Sequence, residues 1–266
     1  ALAGTDAPIV AALEHRFTGG DVEGHALGNL VLAALTAEIG DPLAAIAEVG
    51  RLVGAVGRVL PAASEPVTLV GATADGTEIR GQVAVMRSGG VRSVWVDPIR
   101  PRVSAEVGAA ILTADQVVIG PGSLYTSVLA ATAVDEVRDA LHDTSAQKVY
   151  VCNLRPQEPE TAGYTVMDHV DALRRHGVTV DVVLYDPATI GEPDAARERV
   201  EFRASALAAP NGAAHDAARL SAALAEVAEV PRIGGSGTVS GAIDPQSPGS
   251  AATRASTTTT WKAEGS

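Results

Sequence analysis

The chain has 266 residues, 46% of them apolar and only 3% aromatic, with a formal net charge of −12. That length allows one large domain or two small ones, and Ala, Val, Leu and Ile rather than rings must fill the core. With no cluster of basic residues the acidic balance argues against nucleic acid and anionic membranes as partners, while a single cysteine, Cys152, excludes an internal disulfide and fits a reducing compartment.

In chain order, residues 1–15 read as the end of a helix carrying Leu2, Ile9 and Leu13, and Thr18-Gly19-Gly20-Asp21 reads as a turn. Glu23 to Ile39 has Leu27, Leu30, Val31, Ala34 and Leu35 at helical spacing, and Gly40 ends it. Asp41 is a good cap for a following helix whose first position, Pro42, needs no N–H; Leu43, Ile46, Val49 and Val53 form its stripe. From Arg58 to Asp97 the pattern turns to strands: Val59-Leu60, Val67 to Val70, Glu78 to Met86 and Val91 to Val96, with Asp75-Gly76 as a hairpin signal. Residues 58–98 are thus expected to form a small antiparallel insert.

Ser104 caps a predicted helix to about Thr113. Gln116 to Ile119 is a buried strand, stopped by Gly120-Pro121-Gly122, and Ser123 is the expected N-cap of a helix running to about Leu141. Lys148 to Cys152 is a second buried strand, with Cys152 read as a core residue, and Asn153 to Gly163 is a polar loop. Thr165 and Asp168 suggest a capping box for a helix through His176, closed by Gly177. Val178 to Leu184 and Phe202 to Leu207 are further strands, and Asp216 to Val227 is a closing helix. Residues 231–266, rich in Gly, Ser, Thr, Ala and Pro, show no apolar period and are expected to be disordered.

Strand and helix alternate after Ser104, which predicts an α/β fold with a right-handed, doubly wound sheet. Ligands in such sheets sit at the carboxyl ends of the strands, here the loops 120–127, 153–163 and the one after Leu184. The Val117–Val134 segment is broken by Gly, Pro, Ser, Tyr and Thr and reads as a buried strand and helix, not a membrane span. The first residues lack the basic and apolar regions of a signal peptide.

Three clusters carry chemistry. Gly120, Pro121, Gly122 and Ser123 form a strand–turn–helix junction that aims backbone N–H groups and a helix dipole at one point, a place for a phosphate; Thr126 and Ser127 add hydroxyls. The plainer reading is an ordinary turn. Gly24, His25, Gly28 and Asn29 put His and Asn on one helix face beside small residues, which serves close packing as readily as a ligand. Asn153, Glu160 and Thr161 sit in a loop at the ligand edge together with Arg155 and Gln157, although such loops are usually solvated. His169 and His176 lie seven apart with no Cys or paired carboxylate at ligand spacing, so no metal site is expected, and no catalytic triad is visible.

Taken together, Gly-His-Ala-Leu-Gly-Asn-Leu at 24–30, Gly-Gln-Val-Ala-Val at 81–85, Gly-Pro-Gly-Ser-Leu-Tyr-Thr-Ser-Val at 120–128 and the run from Val151 to Tyr164 resemble the YvcK-type gluconeogenesis factors, relatives of 2-phospho-lactate transferase. Asp168-His169-Val170 and Ala214-His215-Asp216 continue the likeness, which covers about residues 1–230. The resemblance implies a single CofD/YvcK-like domain with a Rossmann-like, mostly parallel sheet that binds a nucleotide sugar, UDP-N-acetylglucosamine, and acts as a cytoplasmic regulator of carbon flow, cell-wall precursor supply and cell shape without demonstrated catalysis. It allows for a homodimer or higher oligomer. The alternative is a transferase moving a phospho-lactyl group from a nucleotide carrier to a deazaflavin, with Mg2+; no other cofactor is implied. The family opens with a Gly-Gly-Gly-x-Gly loop and an Asp-Asp-Gly-Gly segment, and neither occurs in this sequence. The expectation is that residue 1 matches a point inside the domain, past the first βαβ unit, as a truncated gene would leave it. Ala214 stands where relatives often carry a basic residue.

Overall fold

Four parallel strands make the centre of the protein, and three antiparallel ones form a separate small sheet. The computed structural model describes residues 8–194 and 200–229; the 231–266 stretch expected to be disordered lies outside them.

The N-terminal layer is helical: α1 (Pro8–Glu14), α2 (Leu27–Ile39) and α3 (Pro42–Leu52). The capping chemistry holds here, since Gly40 takes the left-handed conformation after α2 and the Asp41 carboxylate accepts the Leu43 N–H. Helix α2 starts at Leu27 rather than Glu23, because Gly24 turns the chain with φ +79°. Only Ala45 is fully buried in these three helices.

The antiparallel sheet has the order β2 (Glu78–Arg80), β1 (Thr68–Thr73), β3 (Val91–Asp97). The Asp75-Gly76 hairpin joins β1 to β2 as expected, but two predicted strands fail. Val59-Leu60 joins no strand, and Glu78 to Met86 is a strand only to Arg80. Gly81, at φ +95°, turns the chain into α4 (Gln82–Arg87), which lays the fully buried Val85 on β1. Gly71 makes room for it, since a Cβ there would come within 3.2 Å of a Val85 methyl. Val85 therefore serves burial, not strand pairing, while Val83 faces outward.

After α5 (Ala105–Leu112), capped by Ser104 on the Glu106 N–H, the parallel sheet follows in the order β4 (Gln116–Ile119), β5 (Gln147–Val151), β6 (Val182–Tyr185), β7 (Glu201–Ala204). Both faces are covered. Val149, Val151, Val182 and Leu184 meet Ala223 and Val227 of α10 (Ala217–Glu229). On the other face Ile119, Tyr150 and Val183 meet Leu124, Leu129, Val170 and Leu173, and this same cluster takes in Leu69, Val91 and Val94 of the antiparallel sheet. Burying side chains of this size contributes about 1.5–3 kcal/mol each.

The predicted helix from Ser123 to Leu141 is three pieces. A π-helical turn, Leu124–Val128, leads into α6 (Leu129–Thr132), and α7 (Asp135–Asp143) starts anew after the extended Val134. Ser123 makes no side-chain cap; its carbonyl accepts from both Ser127 and Val128. In α8 (Val166–Arg175) the Thr165–Asp168 capping box is fully formed, and Gly177 follows at φ +74°. The short α9 (Pro187–Ile190) is capped by Asp186.

Candidate functional site

The carboxyl ends of β4 and β5 lie side by side, so the turn after Ile119 faces the loop after Val151. Asn153 joins them. Its side-chain carbonyl accepts the Gly122 N–H at 3.0 Å, and its side-chain amide donates to the Gly122 carbonyl at 2.8 Å. Asn153 is buried, and this two-bond clamp fixes the Gly120-Pro121-Gly122 turn. It also occupies one N–H that the sequence assigns to an anion.

Glu160 takes a second such group. It is 3% exposed, and its Oε1 accepts the Thr126 N–H at 3.0 Å, while Oε2 has no hydrogen-bond partner. Thr126 N–H is the donor that a Ser123 cap would have satisfied, so the carboxylate explains why Ser123 does not cap. Thr161, fully buried, accepts the Gln157 N–H at 2.8 Å and closes the loop that carries Glu160. Thr126 is itself buried and Ser127 is exposed. Asn153, Glu160 and Thr161 thus shape the edge by holding backbone.

Next to the clamp is an open pocket of about 350 Å³, lined by Pro121, Gly122, Asn153, Arg155, Gln157 and His215 among others. The exposed Arg155 donates one long bond, 3.5 Å, to the Ala213 carbonyl. His215 lies 3.2 Å from the Cys152 carbonyl, which can only accept, so Nε2 carries the hydrogen and Nδ1 is the acceptor of the neutral ring. Burial holds the His215 pKa below its ordinary value. Burial also pushes the Cys152 thiol up to about 12, which makes it inert as the sequence implies. Asp186, at the end of β6, accepts the N–H groups of Ala188, Leu207 and Ala208 and is a structural anchor.

The sequence clusters do not all converge. Gly122 meets Asn153 and Thr126 meets Glu160, whereas the 24–29 segment lies in the N-terminal helical layer. Gly24 donates to Phe17 and accepts from Arg16, and His25 and Asn29 are exposed. Gly28 lets α1 approach, since a Cβ there would come within 3.1 Å of the Leu13 carbonyl oxygen. Among the described residues no hydrogen bond, ion pair or ring contact joins 24–29 to 120–127 or 153–161. Arg155 and Gln157, which the sequence places in the loop at the ligand edge, line the pocket, and His215 joins them; its signal in the sequence was the Ala214-His215-Asp216 motif. Among the described residues no group of three or more His, Cys, Asp or Glu side chains forms a metal cage. No helix there is long and apolar enough to cross a membrane.

Comparison with known proteins places this geometry. The family of 2-phospho-L-lactate transferase CofD matches residues 1–231. The gluconeogenesis factor of Halalkalibacterium halodurans is 38% identical over 192 residues, covering 70% of this chain and 58% of that protein. The gluconeogenesis factor of Bacillus subtilis is 36% identical over 203 residues, covering 74% of this chain and 63% of that protein. The chain therefore spans about six-tenths of these relatives. A crystal structure of a UPF0052 family protein from Bacillus halodurans matches with a TM-score of 0.75 at 33% identity, over 84% of this chain and 80% of that one. By these matches the chain belongs to the 2-phospho-L-lactate transferase CofD family and is similar to its YvcK-type gluconeogenesis factors.

Proposed function

We propose that this chain binds a nucleotide sugar, UDP-N-acetylglucosamine, and serves as a cytoplasmic regulator of carbon metabolism, cell-wall precursor supply and cell shape. The observation that carries the reading is the pocket of about 350 Å³ at the carboxyl ends of β4 and β5, with a clamped Gly-Pro-Gly turn on one wall and Arg155 and His215 on the others. Its size falls in the ordinary range of ligand pockets, about 300–1,000 Å³.

The chemistry adjusts where the diphosphate goes. Gly122 and Thr126 N–H are already bonded to Asn153 and Glu160, and a buried carboxylate at the start of a helix repels an incoming phosphate. The diphosphate therefore lies towards Arg155, whose planar fork suits phosphate oxygens, with the turn supplying shape more than charge. Isothermal titration of the chain with UDP-N-acetylglucosamine should give saturable heat that Arg155→Ala abolishes. Absence of heat at millimolar ligand overturns the proposal.

A second reading, transfer of a phospho-lactyl group from a nucleotide carrier to a deazaflavin, is favoured by the family match itself. It needs a divalent cation, and among the described residues no group of three or more His, Cys, Asp or Glu side chains gathers to hold one; one or two carboxylates with the substrate's own phosphates would have to suffice. Formation of phosphorylated deazaflavin product with Mg2+ present would establish this reading in place of the first.

A further inference from the structure

The antiparallel sheet meets the helices of the parallel sheet along a seam, and that seam holds a second open pocket of about 420 Å³. It opens at the opposite edge of the parallel sheet from the pocket above. His176 and Gly177 lead from α8 into β6, at the amino ends of the parallel strands, whereas Pro121 and Asn153 follow the carboxyl ends of β4 and β5. One wall is β3, from Ser93 to Val96; the other comes from the start of α7 and the end of α8.

Two guanidinium groups line this cavity, and their surroundings hold them there. The stem of Arg138 lies over Gly177, where a Cβ would come within 3.1 Å of its Cδ. Its head is fixed by Asp135 at 2.5 Å. Arg175 makes one long bond, 3.4 Å, to the Tyr125 hydroxyl, and most of its five-donor fork has no protein acceptor among the described residues. His176 adds no charge: its Nδ1–H donates to the Ala172 carbonyl at 2.7 Å, which leaves Nε2 as the acceptor that takes the Val94 N–H at 3.0 Å. Asp135 is shared between Arg138 and Arg100, and Asp168 lies within electrostatic reach of Arg175, so the positive charge this concave wall offers rests mainly on Arg175, in a chain whose net charge is −12. A cleft of one sign concentrates ligands of the other.

We infer that the seam cavity binds a small oxyanion, a phosphorylated or carboxylated metabolite, gripped by the forks of Arg138 and Arg175. Because its walls come from both layers, an occupant bridges them, and binding stabilises their docking by mass action. The site is separate from the nucleotide-sugar pocket and does not depend on it.

Trp95 lines the same cavity and reports on it. In the full chain carrying Trp261→Phe, Trp95 is the sole tryptophan. Its fluorescence is titrated with inorganic phosphate and, separately, with malonate, ionic strength being held constant with potassium chloride. The expected result is a saturable change with at least one of the two, the stronger response identifying the phosphorylated or the carboxylated class. Arg175→Gln should weaken it by about tenfold or more, the scale of one charge-assisted hydrogen bond. Arg155→Gln should leave it unchanged. No saturation with either anion, full retention in Arg175→Gln, or loss in Arg155→Gln overturns the inference. Arg138 also holds Asp135, so its variant tests folding as well as binding; Arg175, with its single long bond, keeps the two separable.

Discussion

The loop cluster at 120–161 and the helical layer at 8–52 both carry family motifs, yet they differ in how those motifs are built in. At 120–161 the motif residues are tied to backbone across the sheet edge, and Leu124, Tyr125 and Leu129 are fully buried behind them. In the helical layer Ala45 is the only fully buried residue, and the side chains of His25 and Asn29 make no hydrogen bond among the described residues. Position at the carboxyl edge, with a bonded network beneath it, separates a loop cluster held in place from a motif carried on exposed helix surface.

The largest effect that would break this comparison is in packing. Leu124→Ala should cost about 2–5 kcal/mol in urea unfolding, because a fully enclosed side chain leaves a cavity. Leu30→Ala, on a helix with no buried residue, should cost clearly less. Equal losses would mean that the two regions are packed alike.

Glu160→Ala comes next. It strands the Thr126 N–H, at about 1–3 kcal/mol, whereas Glu160→Gln keeps an acceptor there and should cost less. If glutamine proves as harmful as alanine, the bond to Thr126 is not what Glu160 provides.

Asn153→Ala removes both bonds to Gly122 and should destabilise by a similar amount, about 1–3 kcal/mol, while weakening nucleotide-sugar binding. Asn153→Asp keeps the acceptor for the Gly122 N–H but sets a carboxylate oxygen against the Gly122 carbonyl, so it should fare no better. Binding that survives both changes intact would detach the clamp from the site.

The smallest effect is the pH response. Burial lowers the pKa of His169, His176 and His215 from 6.5, so the folded state disfavours their protonation. Below about pH 6.5 the unfolded chain binds more protons than the folded one, and stability falls as pH drops from there towards the folded values. Above it the contribution is fully present. His176 should carry part of this, because protonating Nε2 removes the acceptor for Val94 N–H. Thermal midpoints at pH 7.5 and 5.5 check the sign; a midpoint that rises on acidification contradicts it.

Local chemistry was the legible part of the fold. Asp41 with Pro42, Ser104, the Thr165–Asp168 box and the glycines at 40 and 177 act within one turn of their own residues, and each does what its residue type dictates. What escaped depended on distant partners. Ser123 lost its capping role to Glu160, which sits 34 residues on from Thr126. Gln82–Arg87 is helical because Gly81 reverses the chain and Gly71 leaves a hollow for Val85, a tertiary cause invisible in a β-branched run. The pocket was legible on its 120–122 and 153 side, but its far wall comes from residues 213–215, which only the folded sheet brings near.

Amide chemical-shift mapping of the 15N-labelled chain during titration with UDP-N-acetylglucosamine tests the central claim most directly. The account predicts saturable shifts concentrated at Gly120, Gly122, Asn153, Arg155 and His215, with residues 24–29 little moved. Shifts confined to 24–29, or none at millimolar ligand, would contradict it.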